Sequence, residues 1–170
     1  MTTAYDFSFA RLGGGAEIAL SAFRGQPILV VNVASACGFT PQYRDLQALY
    51  EAKAKAGLVI LAAPCNDFGR QESGEEVVIK DFCESKYHVT FPMTGKVEIV
   101  GAGRHPFYRW IAAEAGEGAL PRWNFHKYLI GRDGGLLDGF PSSDAPMGFK
   151  MLGAIEAALS GGAAKLGSGK

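Results

Sequence analysis

Ile28 to Val33, ILVVNV, is apolar at every position except Asn32, and an apolar run of this length without alternation reads as a central strand covered on both faces. A helix follows at once. Thr40 is placed as its N-cap, Pro41 at the favoured first helical position, and Tyr43, Leu46, Leu49 and Tyr50 mark one face until Gly57 closes it. Cys37 therefore falls in the turn between strand and helix, just before a helix N-terminus.

Unpaired N–H groups and the helix dipole at such a place favour a thiolate over a thiol. The dipole contributes roughly 0.3 to 1 kcal/mol, or about 2 in a partly buried geometry, so further donors must complete the activation. The residues alone leave a second reading open, in which Cys37 is a small buried apolar side chain.

The 170 residues suit one domain with a real core, spanning 1–159, and 48% hydrophobic against 20% charged content excludes a disordered chain. Seventeen basic and seventeen acidic side chains cancel, which leaves no electrostatic surface for nucleic acid or anionic lipid. No run approaches the ~20 apolar residues of a membrane span, and the N-terminus shows no basic region followed by a long apolar stretch, so the cytoplasm is the expected location. Three cysteines, Cys37, Cys65 and Cys83, make an odd count without CxxC, and His88, His105 and His126 form no HxxxH. Neither a secreted disulfide framework nor a zinc site is expected, and no metal or other cofactor is called for.

Along the chain, Tyr5 to Leu12 and Ala16 to Phe23 alternate around Gly13 to Gly15 as a β-hairpin. Leu58 to Ala63 is a second apolar strand, making a right-handed βαβ unit with the first. Ligands in open α/β sheets sit beyond the carboxyl ends of parallel strands, so the Cys37 turn and the amide-rich loop Pro64 to Glu72 should meet. Ser73 with Glu76 has the pattern of a capping box, opening a helix through Tyr87 on which Cys83 shares a face with Ile79. Val89 to Met93 and Gly95 to Val100 read as extended, Pro106 to Glu114 as a short helix, and Trp123 to Ile130 as a strand. Leu136 to Phe140 is its partner and Met147 to Leu159 the closing helix, while residues 160–170 read as a frayed tail. The order is that of an α/β, thioredoxin-like fold: a central mixed β-sheet flanked by helices, with an added N-terminal β-hairpin.

Four segments, NVASACGFTPQY (Asn32 to Tyr43), PCNDFGRQE (Pro64 to Glu72), FCESKYHVTFP (Phe82 to Pro92) and WNFHKYLI (Trp123 to Ile130), resemble the glutathione peroxidase family in order and spacing. The resemblance spans Tyr5 to about Leu159. It implies a peroxidase in which Cys37 is the peroxidatic residue and Gln71, Trp123 and Asn124 complete a catalytic tetrad. A Cys37 thiolate would attack the terminal oxygen of hydrogen peroxide or of an organic or lipid hydroperoxide, leaving a sulfenic acid. The amides and the indole N–H can stabilise the thiolate and the departing oxygen without adding charge. Trp123 and Asn124 would point to opposite faces of a regular strand, so both can face Cys37 only from a bend before it.

The resemblance also makes Cys83 the resolving cysteine of the non-selenium members, which form an internal disulfide and are typically reduced by thioredoxin rather than glutathione. The helix bearing Cys83 is expected to unwind on oxidation. Cys65 is expected to be structural. Two positions depart from the family pattern: Asp67 replaces the usual Gln and would oppose a nearby thiolate unless it points to solvent or pairs with Arg70, and Ser73 replaces a common Pro. The short segment between Trp110 and Trp123 implies a monomer with an open site. Two other functions compete: a peroxide sensor that relays oxidation to a partner protein, and a thiol hydrolase built on Cys37, His126 and Asp138, for which a surface-facing His126 is the simpler account.

Overall fold

The computed structural model describes Met1 to Gly161, and the expected tail beyond Gly161 lies outside the described residues. A two-residue hairpin, β1 (Ser8–Phe9) against β2 (Ile18–Ala19), precedes β3 (Ile28–Val33), α1 (Gln42–Lys53), β4 (Val59–Pro64) and α2 (Glu76–Tyr87). Then come α3 (Pro106–Ala115), β5 (Lys127–Ile130), β6 (Leu136–Phe140) and α4 (Phe149–Leu159). The main sheet has the order β4-β3-β5-β6, with β3 parallel to β4 and antiparallel to β5. All six residues of β3 are buried, Asn32 included, as a central strand covered on both faces requires.

Alternate residues of β3 feed two cores. Leu29, Val31 and Val33 pack with Leu46 and Leu49 of α1, Cys83 of α2 and Ile155 of α4. Ile28 and Val30 pack on the other side with Phe107, Trp110 and Ile111 of α3 and with Phe9 and Ile18 of the hairpin. The result is thioredoxin-like: a mixed sheet flanked by helices, plus the small antiparallel hairpin.

Strand direction positions the site. β3 and β4 are parallel, so the segments after Val33 and after Pro64 leave the sheet at the same edge. β5 runs the opposite way, with Val31 opposite Lys127, so the residues just before Lys127 reach that edge too.

Several local expectations are corrected. The hairpin is only two residues deep, because Ala4–Asp6 and Leu20–Phe23 coil into 3-10 turns and Leu12 instead donates to the Met93 carbonyl at 3.1 Å. Val89 to Val100 forms no ladder; Arg11–Thr94 and Ala62–Met93 are isolated bridges, through which this segment fastens the hairpin to β4. The Ser73–Glu76 capping box does not form. Glu75 occupies the N-cap of α2 with no side-chain cap, and the Glu76 carboxylate accepts the backbone N–H groups of Gly13 and Lys96, each at 3.0 Å.

Candidate active site

Cys37 lies in a bend past β3, 8% exposed, between the exposed Ala36 and Gly38. Thr40 is not the N-cap of α1, a position held by Pro41. Its hydroxyl instead accepts the Cys37 backbone N–H at 2.8 Å and donates to the Ala34 carbonyl at 2.8 Å, stapling the bend. A turn at residues 38–41 separates Cys37 from α1, and the donor at the sulfur is local: the Phe39 N–H reaches Cys37 Sγ at 3.3 Å. That N–H is aimed at the sulfur itself, whereas α1 begins only five residues further along the chain.

The second segment meets the first as expected. Ala36 N–H donates to the Gln71 carbonyl at 3.1 Å. Asn124, fully buried, donates through Nδ2 to Gln71 Oε1 at 2.9 Å and to the Phe68 carbonyl at 3.2 Å. With its oxygen so engaged, Gln71 has its Nε2 amide left to offer a reacting oxygen or sulfur. Trp123 is half-buried, with its ring edge-to-face on Phe68 at 6.5 Å. The structure thus gathers Gln71, Trp123 and Asn124 around the loop next to Cys37.

β5 begins at Lys127 rather than at Trp123, and Phe125 has φ 64°, so Trp123 and Asn124 lie in the bend that their joint orientation demanded. That bend is held from β3. Asn32 Nδ2 donates to the Trp123 carbonyl at 3.0 Å, and the Asn32 carbonyl accepts the Phe125 N–H at 2.6 Å. Asn32 is a supporting residue that sequence reasoning did not assign; its signal was the one amide in an otherwise apolar central strand. Ser142 Oγ donates to the Asn124 carbonyl at 2.5 Å, and the buried Lys127 Nζ ties the same loop down through Asp144 O at 2.7 Å. Burial lowers the Lys127 pKa to about 8.

Gly69 explains how the indole fits. Its φ is +73°, and a Cβ there would fall 2.6 Å from Trp123 Cη2. Gly69→Ala is expected to cost about 1–2 kcal/mol of backbone strain and, by pushing Trp123 aside, to lower peroxide turnover at least about tenfold. Thermal unfolding and steady-state rates on one preparation check both.

Cys83 is fully buried on α2 with Ile79 and Tyr87. Burial pushes its thiol up to about 11, partly opposed by the Tyr43 hydroxyl, which lies close by without a well-aligned hydrogen bond. Cys65 is also fully buried and pushed by burial up to about 12, which suits a structural thiol. Asp67 is exposed, as one of the two alternatives expects, and it makes no pair with Arg70: its Oδ2 accepts the N–H groups of Ile99 at 2.6 Å and Val100 at 2.9 Å. Its charge is thereby spent on backbone donors. His126 is not surface-facing. It is half-buried against Tyr128 at 4.8 Å, its Nε2 has no hydrogen-bond partner, and burial followed by the Lys127 charge lowers its pKa to about 4. Asp138 Oδ1 accepts the Gly139 N–H at 2.8 Å, so the structure shows no histidine held by that carboxylate as a thiol hydrolase would need.

Among the described residues no cluster of three His, Cys, Asp or Glu side chains could hold a metal ion, and no helix is long and apolar enough to cross a membrane.

A family model described as glutathione peroxidase matches residues 4–112. The chain is 43% identical over 145 residues to a glutathione peroxidase of Lactococcus lactis subsp. cremoris, covering 84% of this chain and 91% of that one. It is 43% identical over 152 residues to the hydroperoxy fatty acid reductase gpx1 of Synechocystis sp., covering 85% and 89%. Among solved structures, the crystal structure of Trgpx in apo form superposes with a TM-score of 0.74 at 36% identity, covering 94% of this chain and 96% of that one.

Proposed function

The chain belongs to the glutathione peroxidase family, and from that premise we propose a two-cysteine cycle for it in which Cys37 reacts with the peroxide and Cys83 resolves. The protein is a thiol peroxidase that reduces hydroperoxides. The Cys37 thiolate attacks the terminal peroxide oxygen, the O–O bond breaks, and sulfur is left as a sulfenic acid while an alcohol or water departs. Gln71, Trp123 and Asn124 supply neutral donors to the charge that moves from sulfur to the leaving oxygen.

The observation that carries this reading is the bond from Asn124 Nδ2 to Gln71 Oε1, which joins two tetrad members from distant parts of the chain beside the Cys37 loop. Long organic substrates fit a site whose flanking segment is short: α3 ends at Ala115, and one 3-10 turn, Glu117–Ala119, leads back toward Trp123. The Synechocystis relative's name points to fatty acid hydroperoxides. The same short segment supports a monomer.

Resolution by Cys83 releases water and forms a Cys37–Cys83 disulfide, which thioredoxin then reduces. The test follows peroxide reduction through NADPH consumption, with thioredoxin and its reductase in one arm and glutathione and its reductase in the other. Fast turnover with thioredoxin, lost in Cys83→Ser, is the expected result. Turnover with glutathione that survives Cys83→Ser overturns the two-cysteine cycle.

A further inference from the structure

Glu72 follows Gln71 directly, is 1% exposed, and is the one buried carboxylate among the described residues. Its Oε1 accepts the Ser35 backbone N–H at 3.0 Å, and its own N–H donates to Asn66 Oδ1 at 3.0 Å. Its Oε2 is buried without a partner. So is the hydroxyl of Ser35, which faces the carboxylate but makes no well-formed bond with it. Both residues line a cavity of about 170 Å³ walled by Ala36, Gln71 and, from α2, Val78 and Phe82. That space is large enough for several waters, and it lies beside two buried polar atoms that no protein group satisfies. The cavity begins at Ala36, one residue from Cys37.

Peroxide reduction sets a proton problem that the tetrad does not solve. Forming the Cys37 thiolate releases a proton and the departing oxygen consumes one, yet side-chain amides and an indole release none near neutral pH. We propose that Glu72 stores this proton, exchanging it with Cys37 and the leaving oxygen through water held in the cavity. This deepens the peroxidase reading and rests on it.

The steps balance. The Cys37 thiol gives its proton to the Glu72 carboxylate, leaving a thiolate and a carboxylic acid. The sulfur electron pair attacks the terminal peroxide oxygen, the O–O bond breaks, and the other oxygen takes the proton back from Glu72. Sulfur is oxidised, the peroxide is reduced, and thiol plus hydroperoxide become sulfenic acid plus alcohol with the carboxylate restored. Glu72 is thus a positioning residue for a proton, acting through water.

The surroundings suit a carboxyl that changes state. Burial raises its proton affinity, opposed first by Ser35 and then by the Lys96 charge. It faces Ser35 from the Cys37 loop, Tyr43 from α1, Cys83 from α2 and Lys96 from the segment after α2. Burial keeps Tyr43 and Cys83 protonated near neutral pH, so Lys96 supplies the opposing charge.

Glu72→Gln keeps an acceptor for the Ser35 N–H but cannot take up a proton. The experiment measures loss of the Cys37 thiol by rapid quench and mass spectrometry in a single turnover with hydrogen peroxide, from pH 5 to 9, for wild type, Glu72→Gln and Glu72→Ala. Glu72→Gln is expected to react about 10²-fold more slowly at pH 7, with an altered pH profile, and formate is expected to restore rate to Glu72→Ala. An unchanged rate, or a slower rate with the wild-type profile and no formate rescue, overturns the proposal. Should neither variant fold, a wild-type rate identical in H₂O and D₂O overturns it as well. A wild type whose Cys37 is not oxidised rejects the peroxidase reading itself, which separates the two failures.

Discussion

Cys37→Ser is expected to lower hydroperoxide turnover by at least about 10³-fold while moving the melting temperature by no more than about 2 °C. The two halves of this result have separate structural origins. The bend that presents residue 37 is fastened through its backbone: its N–H goes to Thr40 Oγ1, its carbonyl accepts the Thr40 N–H at 3.0 Å, and Thr40 is in turn fixed to Ala34. The side chain contributes one acceptor, for the Phe39 N–H, and a serine oxygen can serve there. What serine lacks is the chemistry. Its hydroxyl does not ionise near neutral pH, and oxygen cannot take up a peroxide oxygen reversibly as sulfur does. Paired thermal melts and steady-state assays check the result. A variant that keeps a tenth of the wild-type rate moves the peroxidatic role away from Cys37, and one that unfolds shows that the thiol supports the bend after all.

The parts of this site that were legible in sequence are those set by local pattern or by strand direction. The unbroken run Ile28 to Val33 gave β3 its bounds, and a parallel neighbour at Val59–Pro64 brought the Cys37 and Gln71 loops to one edge. The adjacency of Trp123 and Asn124 was itself enough to require a bend, and the bend is there. Two of the misread positions share a different property: each is a polar side chain whose partner lies far along the chain. Glu76 looked like half of a local capping box, yet its carboxylate serves Gly13 and Lys96. Asp67 looked like a threat to the thiolate, yet its oxygen serves Ile99 and Val100. Thr40 stayed local but bonded backward to the cysteine bend instead of forward into α1. Side-chain to backbone bonds have many candidate partners and little periodic signature, so a pattern read from one chain does not choose among them.

On conversion of the reduced protein to its disulfide form, backbone amides within 76–87 are expected to exchange with solvent at least about 10²-fold faster, equivalent to a loss of about 3 kcal/mol of local protection. Both thiols are free in the structure, and Cys83 is sealed in the core beneath α2. With Cys83 at 0% exposure, the bond is expected to form only once one partner moves. The Cys37 bend is stapled twice by Thr40, whereas α2 is weakly held. Only Ile79, Cys83 and Tyr87 are buried along it, Val77 and Val78 stand exposed, and its N-terminus has no side-chain cap. A groove of about 130 Å³ opens beside the same turn, lined by Leu12, Cys83, Phe91 and Met93 and rimmed by the exposed Arg11, Lys80 and Glu84. Closed, the helix also keeps Cys83 inert, because burial pushes its thiol up to about 11 and the thiolate is the nucleophile. Opening therefore frees the sulfur to travel and, by returning it to water, brings it toward an ordinary thiol acidity. On the proposed two-cysteine cycle the same helix motion would gate both reach and reactivity, with resolution expected only after α2 lets go. Cys83→Ser, oxidised at Cys37 alone, is expected to keep the protection of the reduced state across 76–87. Equal exchange in reduced and disulfide-bonded wild type would mean that the Cys37 bend moves instead, and that α2 carries Cys83 to its partner without unwinding.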